Sequence, residues 1–106
     1  MASSGTDARH SERMRALVRA NEVRRARADL KRRVGRGELS AAQIILAPPR
    51  DASSWPLAEL LRSQHGWGEA KSRGFLAEHQ IDGRKPIGTL TGRQRHLLAA
   101  RLTPRN

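Results

Sequence analysis

Apolar positions along the chain come in short groups at helix spacing, separated by Gly, Pro or polar runs. Leu57, Leu60 and Leu61 form an i, i+3, i+4 stripe, and Phe75 with Leu76 starts another. Between them, Gln64-His65-Gly66-Trp67-Gly68 reads as the end of one helix, a tight turn and the start of a second. From Asp7 to Val34 neither Pro nor Gly interrupts a run of good helix formers. Leu17, Val23, Ala26, Leu30 and Val34 give that run a sparse inner stripe. A long helix is therefore predicted over 7–36, with a first half that frays when nothing holds it. Gly35-Arg36-Gly37 ends it.

Ser40 then starts a short apolar helix over 41–46, which Pro48-Pro49 stops. Residues 48–53 read as a loop. Ser54 is the expected N-cap of the next helix, with Pro56 in its first turn. That helix runs through Leu61 to the turn at Gly66, and its successor from Gly68 to Gln80. Residues 81–90 are a turn-rich connector, and Thr91 caps a last helix over 92–102. No stretch alternates as a strand, so the expected fold is all-α. Residues 1–6 are expected to be disordered and 103–106 to form a loose tail. The helices over 40–102 would make one small domain behind the long helix.

Charge changes this picture. The 106 residues carry 21 Lys and Arg against 10 Asp and Glu, a formal charge of +11. All the bases except Lys31, Lys71 and Lys85 are arginine, whose planar guanidinium donates two parallel hydrogen bonds to a phosphate. Such an excess implies a polyanionic partner, with nucleic acid first. A membrane surface comes second, and the lack of any aromatic residue on the basic helix argues against it. The three aromatics, Trp55, Trp67 and Phe75, leave a small core of Leu, Ile, Val and Ala and no base-stacking platform for single strands. The absence of cysteine excludes disulfides and thiolate metal sites. The first residues lack the apolar segment of a signal peptide, and no apolar run reaches the length of a membrane span. A cytoplasmic protein is expected.

The Gly-x-Gly turn is the candidate site. Gly66 can take the positive φ that ends a helix, and Gly68 lets a foreign backbone approach. The helix that follows would begin with N–H groups pointing outward, which suits an anion. Lys71 and Arg73 stand in its first turns, where cations oppose the helix dipole unless an external anion compensates. A glycine after a helix is also, more simply, a cap. The long helix offers Arg13, Arg19, Arg24, Arg27 and Lys31 as a second cationic surface, and Asp7, Glu12, Glu22 and Asp29 do not balance its bases. Gln94 and Asn21 could each read adenine, although a solvated amide is the plainer reading. Trp67, within the candidate DNA-binding hairpin Gly66-Trp67-Gly68, could wedge against the minor groove or a sugar, although packing inward is the plainer expectation, and Trp55 is expected to anchor its loop.

An enzyme is not expected. His10, His65, His79 and His96 lack metal-type spacing, and so small a core leaves little room for a water-excluded pocket. No cofactor is expected. Structured RNA remains an alternative partner, as does a role as an adaptor for a recombinase.

The residues also resemble a family, the actinobacterial integration host factor, a monomeric nucleoid-associated protein. The resemblance covers about residues 20–102. It lies in Ala26-Arg27-Ala28-Asp29-Leu30-Lys31 before a Gly-rich stop and in the short apolar helix that follows. It continues with Leu60-Leu61 leading into Gly66-Trp67-Gly68, Ser72 at a small-residue position, and Leu90-Thr91-Gly92-Arg93-Gln94-Arg95, similar to a Leu-Gly-x-Arg-Gln-Arg signature. It implies a helix-two-turns-helix domain that grips double-stranded DNA by its backbone, bends or compacts it, and assists a phage-type integrase in the nucleoid. Lys85, Arg93 and Arg95, with Arg84, would then take phosphates at the second turn. The chain departs from the family in having Gln64-His65 before the turn, Pro86 at a basic position, and Thr89 and Thr91 at glycine positions. A diverged or phage-borne paralogue fits these departures. A monomer is expected, since nothing sustains a heptad seam.

Overall fold

The computed structural model describes residues 3–103, with side chains from Ala8 onward. Helix α1 (Ser3–Gly35) begins within the stretch expected to be disordered; residues 1–2 and the tail 104–106 lie outside the described residues. It is followed by α2 (Ala41–Leu46), α3 (Leu57–Ser63), α4 (Glu69–Glu78) and α5 (Gly92–Leu102), with 3-10 turns at Arg50–Ala52 and Ile87–Thr89. The fold is all-α, a long basic helix packed on a small helix-two-turns-helix domain. Its extents of 68 × 27 × 24 Å arise because the first half of α1 projects beyond that domain.

Local chemistry explains most of the boundaries. Gly37, at φ +80°, ends α1: its N–H donates to Val34 C=O (3.1 Å) and Glu38 N–H donates to Arg33 C=O (2.9 Å). The same closure ends α4 two residues before the expected Gln80, with Gln80 at φ +55° and Ile81 N–H donating to Leu76 C=O (3.0 Å). Helices α2 and α5 begin with full capping boxes, Ser40 with Gln43 and Thr91 with Gln94. Ser54 does not cap α3. Pro56 holds that position, and Ser54 Oγ instead accepts a hydrogen bond from Arg27.

The core is one cluster around Trp55, Leu57, Leu60, Leu61, Ile45, Ile87 and Leu98, all fully buried. Helix α2 packs on α5, and α3 on α4. The 81–90 connector is stitched back onto the start of α3. Leu57 N–H donates to Lys85 C=O (3.0 Å), Ala58 N–H to Gly83 C=O (2.9 Å) and Ile87 N–H to Trp55 C=O (2.9 Å). Gly83 permits this approach, since a Cβ there would stand 2.8 Å from both Ala58 Cβ and Leu76 Cδ1. Leu76 can turn away but the Ala58 methyl cannot. Gly83→Ala is therefore expected to cost about 1–3 kcal/mol of stability in a urea titration; an unchanged midpoint would mean the connector shifts freely.

Helix α1 packs on the 3-10 turn at Arg50–Ala52 and on α3, with Leu30 and Val34 buried in the core and Val23 half-buried two turns earlier in the same phase. Leu17, placed in the same inner stripe by sequence, is 58% exposed. The six-residue step from Leu17 to Val23 is about 240° of rotation, which carries Leu17 off the docking face.

Candidate nucleic-acid interface

The turn between α3 and α4 is closed by Trp67 N–H donating to Gln64 C=O (3.1 Å), with Gly66 at φ +78° in the position that needs a left-handed backbone. Gly68 follows in an extended conformation and is the N-cap of α4, without any side-chain cap. Among α2 to α5 this helix start is the exception. Capping boxes close α2 and α5, and the first N–H groups of α3 donate to Lys85, Gly83 and Pro56 carbonyls. The space in front of α4 is open, since a Cβ on Gly68 would meet nothing within 4 Å. An exposed, uncapped N-terminus of ten helical residues presents aligned N–H dipoles to an incoming anion.

The flanking side chains divide between two sides of α4. Lys71 Nζ stands 4.7 Å over the Trp67 ring. Trp67 meets Phe75 edge to face at 5.4 Å, and Phe75 meets His79 at 4.7 Å. Trp67 is half-buried against the core and so packs as a lid on the hairpin, while Trp55 is fully buried. Arg73 lies across the helix from Lys71 and pairs with Glu69 (2.7 Å). The structure thus separates two cations that sequence reasoning set beside one phosphate.

Arg73 instead borders a groove of about 470 Å³ between α3, α4 and residues 81–84. Arg84 and Arg62 share that groove with Glu59, Glu69 and Asp82. Arg62 is the cation that sequence reasoning missed; only its exposed place in the last turn of α3, just ahead of the hairpin, could have signalled it. Arg84 clasps Asp82 through Nε (3.3 Å) and Nη2 (3.1 Å), and its backbone N–H donates to the same carboxylate (2.9 Å). The Arg84 side-chain hydrogen bond holds the Asp82 carboxyl below its ordinary pKa, and the pairing holds Arg84 above its own.

At the second turn the expected residues part company. Arg93 is exposed at the start of α5, and Lys85 is half-buried. Arg95 turns inward: its guanidinium donates to the carbonyls of Ile45 (2.6 Å), Ile87 (3.2 Å) and Leu90 (3.1 Å). It ties α2, the second 3-10 turn and α5 together, which removes it from the outward set. The second cationic surface divides in the same way. Arg13, Arg19 and Arg24 are exposed, whereas Arg27 bonds Ser54 and Lys31 pairs with Glu59 (2.6 Å), both docking α1 onto the domain. The two amides able to read a base are engaged: Gln94 in the α5 capping box and Asn21 with Arg24 (3.4 Å).

No family model and no curated protein matches the chain. Among solved structures it is similar to one described as sIHF bound to an 8 bp palindromic DNA. The TM-score is 0.73 at 21% identity, over 80% of this chain and 98% of that one. The likeness is one of fold: the chain has the architecture of that sIHF. No described helix is long and apolar enough to cross a membrane.

Proposed function

We propose that this chain is an architectural protein that binds duplex DNA with little regard to sequence. The observation that carries the reading is the open, uncapped N-terminus of α4 behind Gly66-Trp67-Gly68. One phosphate would accept from the N–H groups of Glu69 to Lys71 with Lys71 beside it, and Arg73, on the opposite side of the helix, would take a neighbouring phosphate. Arg62 and Arg84 extend the cationic rim toward the connector, and Lys85 and Arg93 reach the backbone at the second turn. The protein of the same fold is described as bound to DNA, which supports a duplex as the partner. The engagement of Gln94 and Asn21 supports backbone rather than base recognition, with any preference arising from DNA deformability.

Arg13, Arg19 and Arg24 form a second surface for flanking or neighbouring DNA. Two such surfaces on one monomer would bend a duplex or bridge two, in the nucleoid. Assistance to a phage-type integrase is the process such bending would serve.

Fluorescence anisotropy on a random duplex over a salt series tests this. Each phosphate neutralised contributes about 0.9 to the magnitude of the log–log slope. Lys71→Ala/Arg73→Ala should therefore reduce that magnitude by about 1.8 and weaken binding at every sequence alike. A nearly flat wild-type response contradicts the proposal, and preferential competition by structured RNA reassigns the site to RNA.

A further inference from the structure

The groove of about 470 Å³ between α3, α4 and residues 81–84 falls in the size range of small-molecule sites. Its chemistry changes along its length. Helix α3 runs toward the hairpin and α4 away from it, so Arg62, Glu69, Ser72 and Arg73 line the hairpin end. Pro56, Ala58, Leu76, Ala77 and Ile81 line the far end and make it apolar. The wall there is fixed, because Ala58 N–H donates to Gly83 C=O (2.9 Å) and Ile81 N–H to Leu76 C=O (3.0 Å). The apolar end is therefore formed before anything enters it.

Two groups at the hairpin end lack partners. The groove is lined by three arginines and three carboxylates. Glu69 pairs with Arg73 (2.7 Å) and Asp82 with Arg84 (3.1 Å), while Glu59 is taken by Lys31 (2.6 Å) from outside the groove. One positive charge is left over, and it is Arg62, which makes no ion pair or side-chain hydrogen bond among the described residues. The second group is Ser72, 2% exposed, whose hydroxyl has no hydrogen-bond partner. The Gly68 carbonyl one turn back accepts from Ser72 N–H (3.1 Å) instead. Buried hydroxyls are normally paired, so this one marks a place for a further polar atom. A cationic ligand would meet only carboxylates that are already paired, and a neutral one would leave Arg62 unmatched. A duplex backbone can neutralise Arg62 but has no apolar part for the far end. A single carboxylate matches the guanidinium fork, and an apolar body matches the rest.

We infer that this groove is a binding site for a small apolar molecule ending in one carboxylate. The carboxylate accepts from Arg62 with the Ser72 hydroxyl beside it, and the apolar body lies along Ala58, Leu76 and Ile81. The site itself does not depend on DNA binding. Its consequence does, and rests on the phosphate contacts proposed above. A molecule that engages Arg62 and brings a negative charge beside the start of α4 competes with the duplex, so each ligand weakens the other. The groove thereby couples the grip on DNA to the concentration of a small anion.

The full-length 15N-labelled chain is titrated with 2-naphthoate and, separately, with its neutral isostere 2-naphthamide. Naphthoate is expected to saturate with its largest amide shifts at Arg62, Ser72, Leu76 and Gly83, and to bind about tenfold or more tightly than the amide. Arg62→Gln should remove that preference. Ala77→Phe, which fills the groove from an exposed position on α4, should abolish binding of both probes while the helical circular dichroism is retained. A preference that survives Arg62→Gln would come from the overall charge of the chain and overturn the proposal. Equal binding of the two probes, or shifts confined to another part of the chain, would overturn it as well. In the anisotropy assay at matched ionic strength, saturating naphthoate should weaken duplex binding of the wild type by about fivefold or more and leave that of Arg62→Gln unchanged. A duplex affinity that naphthoate does not move overturns the competition. A chain that binds no duplex even without naphthoate fails the DNA reading instead, and the groove then stands or falls by the amide shifts.

Discussion

Replacing Arg95 by methionine is expected to lower stability by about 3 kcal/mol, more than any other single truncation outside the apolar core. The guanidinium donates to three carbonyls, one in α2 and two at the second 3-10 turn, and methionine removes this donor from all three in a half-buried place, leaving Ile87 C=O only its bond from Leu90 N–H (3.3 Å). A charged hydrogen bond contributes about 1.5–3 kcal/mol, but bonds that share one donor group do not add in full. In a chain of this size the loss corresponds to a fall in Tm of roughly 12–20 °C. Arg95→Lys should recover only part of it, because an ammonium lacks the planar fork that reaches separated acceptors. Duplex affinity of the folded Arg95→Met protein should change by less than twofold below its melting range. A Tm within a few degrees of wild type, with DNA affinity lost, would return Arg95 to the phosphate-binding set.

Gly68→Asp is expected to move stability and binding in opposite directions. The residue is extended, a Cβ there meets open space, and it holds the N-cap position of α4. Aspartate would cap the helix, and the fold should gain a few tenths of a kcal/mol over glycine. The same carboxylate would occupy the N–H groups a phosphate needs and repel it as well. The lost charged hydrogen bonds, about 1.5–3 kcal/mol, translate into a tenfold to hundredfold weaker duplex affinity. Were Gly68 only a structural cap, aspartate would leave DNA binding near wild type.

Helix periodicity and two of the three expected side-chain caps were legible in the sequence because local chemistry determines them, whereas Ser54 is drawn to Arg27 and leaves the start of α3 to Pro56. Ser40 and Thr91 cap the helices expected of them, and Gly66 and Gly37 take the left-handed backbone that their turns require. The destination of a long cationic side chain was not legible, because it depends on which carbonyls and carboxylates the tertiary fold brings within reach. Arg95 reaches three carbonyls, Arg27 reaches Ser54, and Lys31 reaches Glu59 across 28 residues. Arg62 and Arg73 share a groove only because residues 81–84 fold back beside α3. Leu17 reads as inward until its rotational phase is compared with Val23. The sequence pattern alone therefore overcounts the cations that face outward.

The most direct test of the phosphate clasp is a titration of the 15N-labelled protein with a short random duplex, followed through its backbone amide resonances. The expected result is that the amides of Gly68, Glu69, Ala70 and Lys71 shift most and downfield, as N–H groups do on donating to an anion. Smaller changes are expected at Arg62, Arg84, Lys85 and Arg93. Shifts confined to α1, with the Gly68–Lys71 amides unmoved at saturation, would contradict the clasp and leave the uncapped start of α4 as an ordinary helix end.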